Sequence, residues 1–84
     1  MSEKEMVKDY VEKLIIIVLG EKNKTGLYTR RDVALILGVC IRTVDNLLNK
    51  GLLAYHKYGD SNNSLVKIPE WSIIEYFEKT LIQV

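Results

Sequence analysis

The chain is poor in the residues that staple or catalyse, with one cysteine, one histidine and one proline in 84 residues. A lone cysteine excludes an internal disulfide, and one cysteine with one histidine cannot complete a four-ligand zinc site. A small fold without staples fits a reducing cytoplasm. Nothing pairs with His56 as a nucleophile–base set, so no enzyme is expected, and neither a cofactor nor a small-molecule ligand is indicated. Net charge is scarce as well. Twelve Lys and Arg against eleven Asp and Glu leave +1, which excludes a uniformly basic coat and an acidic disordered tail. Long apolar runs are also missing. The longest, Leu14 to Leu19, holds six residues, whereas a bilayer span needs about 18. The segment ahead of it is net acidic and no small-residue cleavage site follows, so it does not read as a signal peptide. The expectation is a soluble, cytoplasmic chain with no membrane contact.

What is present is apolar content of 48%, enough for one core. A chain of this length buries only about 60–65% of the surface it exposes when unfolded, so residues 1–84 are expected to form a single domain. Charge is partitioned along it. Residues 1–21 carry three lysines against five acids, and residues 68–84 carry Lys79 against Glu70, Glu75 and Glu78. Between them, residues 22–67 carry eight Lys and Arg against three Asp. A basic middle between acidic ends fits a domain with one anion-facing surface, although short chains also cluster charge by chance.

The periodicity of Val7, Tyr10, Val11, Leu14, Ile15 and Val18 predicts a helix over 3–19, stopped at Gly20. Residues 21–28 read as a polar connection. Thr29 and Asp32 form a Thr-x-x-Asp capping pattern that opens a helix over about 30–37, with Val33, Ala34, Ile36 and Leu37 inward and Gly38 closing it. Only Val39 and Cys40 separate it from a second helix over 41–50, closed by Gly51. Two short helices across a tight glycine turn predict a helix-turn-helix. Leu52 to Tyr58 and Leu65 to Ile68 flank the turn-rich stretch 59–64 and predict a hairpin. Pro69, favoured at a first helical position, opens a last helix to about Leu81 with Trp71, Ile74, Phe77 and Leu81 as its stripe. Trp71, Tyr76 and Phe77 read as core rather than as a platform for stacking bases. The predicted class is mainly α with a small β-hairpin wing, a winged helix-turn-helix preceded by an extra helix.

The stretch from Leu27 to Leu53 carries Ala34, Leu37-Gly38-Val39, Arg42-Thr43-Val44 and Gly51-Leu52. At these spacings it resembles the excisionase-family, MerR-like winged helix-turn-helix, over about residues 27–82. The resemblance implies sequence-selective binding of double-stranded DNA, by a small transcriptional regulator or an excisionase-like recombination accessory factor. Cys40 stands where that family usually has Ser or Thr at the cap. Ile41 and Asp45 stand where it often has Arg or another polar residue.

A wheel drawn at 100° per residue on helix 41–50 turns Val44, Leu48, Ile41 and Leu47 toward the core. Arg42, Asn46 and Asn49 then point outward, flanked by Thr43 and Lys50 on one side and Asp45 on the other. Arg can fork onto guanine O6 and N7, and Asn onto adenine N6 and N7, so Arg42, Thr43, Asn46 and Asn49 are the candidate base readers. A solvated helix face also carries such residues without any ligand. Asp45 accepts from a cytosine N4, fixes a neighbouring side chain or discourages binding to wrong sequences. Arg30 and Arg31 begin the first helix, where helix-turn-helix proteins cross the sugar-phosphate backbone. With Lys50 and the residues His56, Lys57, Tyr58, Asn62, Asn63 and Lys67 of the 53–68 wing, they are candidate backbone or minor-groove contacts. Cys40 reads as a small, half-buried thiol. The competing class is a protein-interaction module that keeps the winged fold without specific DNA binding.

Residues 1–20 exceed what the resembling domain needs. Val7, Val11, Leu14, Ile15 and Val18 are therefore expected to pair two copies into a homodimer, since an open apolar stripe is an aggregation liability. The alternative is that the helix folds back onto the last helix of its own chain.

Overall fold

The computed structural model describes residues 2–58 and 65–81. Helix α1 spans Glu3–Leu19. Its first turn is capped by the Ser2 hydroxyl, which accepts from the Glu5 amide at 3.2 Å, and it stops at Gly20 (φ 90°). A short 3-10 turn, Glu21–Asn23, follows. Helix α2, Arg30–Leu37, opens on a complete capping box. The Thr29 hydroxyl accepts from the Asp32 amide, while an Asp32 carboxylate oxygen accepts from the Thr29 amide. Two of the helix's free donors are thereby satisfied by local sequence alone. Gly38, left-handed at φ 71°, closes α2, a conformation that favours glycine because there is no Cβ to clash. Helix α3, Ile41–Asn49, begins after the two intervening residues Val39 and Cys40.

Three short strands complete the fold: β1 (Leu27–Tyr28), β2 (His56–Tyr58) and β3 (Leu65–Pro69). They form one antiparallel sheet in the order β1-β3-β2. Helix α4, Glu70–Thr80, starts directly after β3. Pro69 is its N-cap rather than its first helical residue, a one-residue correction. The connection read as polar over 21–28 thus ends in a strand, with Leu27 opposite Pro69 and Tyr28 opposite Ile68. The buried Tyr28 phenol anchors that strand. It accepts from the Gly26 amide and donates to Glu70 Oε1 at 2.9 Å. Burial, reinforced by the bond to Glu70, pushes its pKa up to about 12. Further along, the buried Ser72 hydroxyl accepts from the Ala54 amide at 2.7 Å, which ties the chain leaving the helix-turn-helix to α4. The arrangement is a winged helix-turn-helix with a helix in front.

That leading helix is not surplus. Val7, Val11 and Ile15 are buried in one cluster with Val33, Ala34 and Ile36 of α2, Val44 and Leu47 of α3, Leu53, Ile68 and Ile73. Leu14 packs against the same cluster, and Val18 is half-buried. The residues expected to meet a second copy therefore meet their own chain, and for Val7, Val11 and Ile15 the expected dimer contact is corrected. The physical reason is that a wheel identifies the apolar face of a helix without identifying what covers it. The same limit applies to α4. Trp71 is 57% exposed and Leu81 43%, while Ser72 and Ile73 are buried, so the inward face is turned by about one residue from the stripe read in the sequence. Tyr76 and Phe77 pack against the core as expected. Tyr10 lies at the rim, its ring edge-on to Phe77 at 6.1 Å between centroids.

Candidate nucleic-acid interface

Helix α3 is strongly two-faced. Val44 and Leu47 are buried and Leu48 packs against the core, whereas Arg42, Asn46, Asn49 and Lys50 are exposed and Thr43 is half-exposed. The four expected base readers therefore share the outward side of one helix. Ile41 departs from the wheel. It is 41% exposed and lies outside the core cluster, because the first residue of the helix projects past the end of the apolar packing beneath it. Cys40 is exposed rather than half-buried. As N-cap of α3 it makes no side-chain capping bond. Its Sγ instead lies 3.3 Å from the Thr43 hydroxyl, and that hydrogen bond lowers the thiol pKa from its ordinary value.

Arg30 and Arg31 both begin α2 and are exposed, but their surroundings differ. Arg30 Nη1 donates to Asp45 Oδ1 at 2.9 Å, joining α2 to α3 across fifteen residues of chain. Asp45 thus holds a neighbouring side chain, one of the roles open to it from sequence. The pair is half in solvent, with side chains 49% and 38% exposed. Ion pairs so placed are worth about 0–1 kcal/mol, so this one is easily exchanged.

On the wing, β2 faces β3 with His56 opposite Lys67, Lys57 opposite Val66 and Tyr58 opposite Leu65. Alternation along the strands puts His56, Tyr58 and Lys67 on one face and Lys57 on the other with Val66. The His56 and Tyr58 rings lie 6.4 Å apart between centroids. The wing contacts expected together are therefore split between two faces. Asn62 and Asn63, also expected to contact DNA, lie outside the described residues. Among the described residues, no three His, Cys, Asp or Glu side chains come together as metal ligands, and no helix is long and apolar enough to cross a membrane.

Residues 27–80 match the helix-turn-helix domain family, from β1 to the last residue of α4. The chain belongs to that family. No curated protein and no solved structure matches it. Family membership, together with the fold, makes this a DNA-binding helix-turn-helix protein, with α3 as the second helix of the motif. Helix α1 lies ahead of the matched region and is nonetheless part of the core.

The Arg30–Asp45 pair leads to a prediction. A carboxylate on α3 both repels phosphates and competes with them for Arg30. Asp45→Asn is expected to tighten binding to every duplex, selected or random. It should also steepen the slope of log affinity against log salt by about 0.9, the increment for one further neutralised phosphate. An unchanged slope in a fluorescence-anisotropy salt series would contradict this role for Asp45.

Proposed function

We propose that the protein binds double-stranded DNA sequence-selectively, as a small transcriptional regulator or an excisionase-like recombination accessory factor. Helix α3 reads the major groove, and the wing over residues 53–68 contacts backbone or minor groove. One observation carries this reading: α3 presents Arg42, Asn46 and Asn49 to solvent on the side opposite the buried Val44 and Leu47. Those are the side chains that can form bidentate contacts with guanine and adenine. Arg31, Lys50, Lys57 and Lys67 supply phosphate contacts. With about three of these engaged per protomer, since Lys57 and Lys67 lie on opposite faces of the wing, the slope of log affinity against log salt on random duplex is expected to be roughly −3. A slope near zero would favour the alternative, an interaction module for another protein.

In this reading the acting unit is a homodimer, with its surface moved from the buried face of α1 to the exposed one. Met6, Tyr10 and Ile17 are 54%, 58% and 79% exposed. With Lys13 they follow a spacing of four, three and four, which lays them along one stripe. The stripe is self-complementary. Antiparallel pairing about the midpoint between Val11 and Glu12 sets each Met6 against the other copy's Ile17. It also brings each Lys13, whose ammonium pairs with Asp9 of its own helix at 3.0 Å, against the other copy's Tyr10 ring, where it can add a cation–π contact repeated by the two-fold axis. An apolar groove of about 540 Å³, lined in part by Met6, Tyr10, Phe77 and Leu81, borders the same edge of α1. Light scattering on a sizing column at micromolar concentration should give twice the 9.7 kDa chain mass. Ile17→Glu should give the single mass with unchanged helical circular dichroism. A wild-type monomer, or a dimer indifferent to Ile17→Glu, would remove this surface from the account.

A further inference from the structure

We propose that Ile41 reads the 5-methyl group of a thymine, so that the preferred site carries a thymine opposite the start of α3. The inference rests on the DNA-binding reading and adds a base identity to it. A β-branched apolar side chain is the first residue of the helix. It is 41% exposed, outside the core cluster, and follows Val39, 38% exposed, and the exposed Cys40. Ile41 takes no part in the core cluster, and about two-fifths of it is open to solvent. Yet the N-terminal residues of a reading helix are the ones brought nearest to base edges. The neighbouring polar positions narrow the chemistry. Asp45, one turn further along the same edge of α3, is tied to Arg30, and Thr43 is turned toward the Cys40 thiol. Ile41 is thus left as an apolar contact beside Arg42, without a hydrogen-bonding competitor on its own edge. The major groove offers one apolar group to such a side chain, the thymine methyl. A guanine, adenine or cytosine at the same position carries no methyl there, and its donors and acceptors are left unpaired by an isoleucine.

The test replaces thymines one at a time by deoxyuridine in a duplex enriched from a random pool by the full-length protein. Deoxyuridine keeps O4 and the Watson–Crick edge and lacks only the methyl. Wild-type affinity is expected to fall about four-fold at one thymine per half-site, the effect of losing one buried methyl-sized group. The same replacement should have no effect on Ile41→Ala, whose fold is checked by circular dichroism. That variant should bind the thymine duplex about as weakly as wild type binds the deoxyuridine one. Neutral deoxyuridine at every position would overturn the proposal while leaving sequence-selective binding intact. So would an equal loss in Ile41→Ala, which would assign the methyl contact to another residue. If no duplex is enriched at all, the DNA reading fails first and this inference falls with it.

Discussion

Ile15→Ala is expected to destabilise the protein by about 2–5 kcal/mol, measured as a lowered urea midpoint with little change in slope. Ile15 is fully buried, in one cluster with core residues of α2, α3, β3 and α4. The rest of a small domain cannot collapse onto the space it vacates without moving several elements. A chain of 84 residues has roughly 4–12 kcal/mol of stability in total, at about 0.05–0.15 kcal/mol per residue. The substitution therefore removes a large share. The control is Lys8→Ala on the same helix, where the side chain is exposed and the effect should stay within about 0.5 kcal/mol. Equal, small effects at both positions would mean that α1 is an appendage after all. A chain lacking residues 1–20 would, on this account, fail to fold rather than merely lose an interaction.

Arg42→Ala is expected to weaken binding to the preferred duplex by about 1–3 kcal/mol, roughly five-fold to more than a hundred-fold, and to relax base choice at one position. Asn46→Ala should behave alike at a neighbouring position. Arg31→Ala, by contrast, should weaken selected and random duplexes by a similar factor, because phosphate contacts carry no base identity. Competition binding against both duplexes separates the two classes. If all three variants lost affinity equally on specific and random DNA, the division between reading and anchoring residues would be wrong.

The parts of the fold legible in the sequence were those governed by nearest neighbours. Thr29 and Asp32 fulfil the capping box because its two hydrogen bonds span only three residues. Gly38 marks the end of α2 because left-handed backbone disfavours other residues there. The outward set of Arg42, Asn46 and Asn49 followed from 100° periodicity against Val44 and Leu47. What escaped was decided by tertiary partners. Periodicity could not say that α1 covers its own core, since a second copy would bury the same stripe equally well. It could not select Ser72 and Ile73 over Trp71 as the inward residues of α4, where apolar side chains occupy several faces. The two-residue strand Leu27–Tyr28 is too short for any alternation and exists because β3 pairs with it. Arg30 as the partner of Asp45 depends on how α2 crosses α3. Ile41 defeated the wheel because angle alone ignores where the underlying core ends.

The central claim is that α3 selects DNA sequence through its exposed polar face. Its most direct measurement is selection of bound duplexes from a random pool by the full-length protein, run in parallel with Arg42→Ala. The account predicts enrichment of a consensus by the wild type, with a guanine preference that disappears in the variant. Failure to enrich any sequence, or a consensus identical in Arg42→Ala, would contradict it.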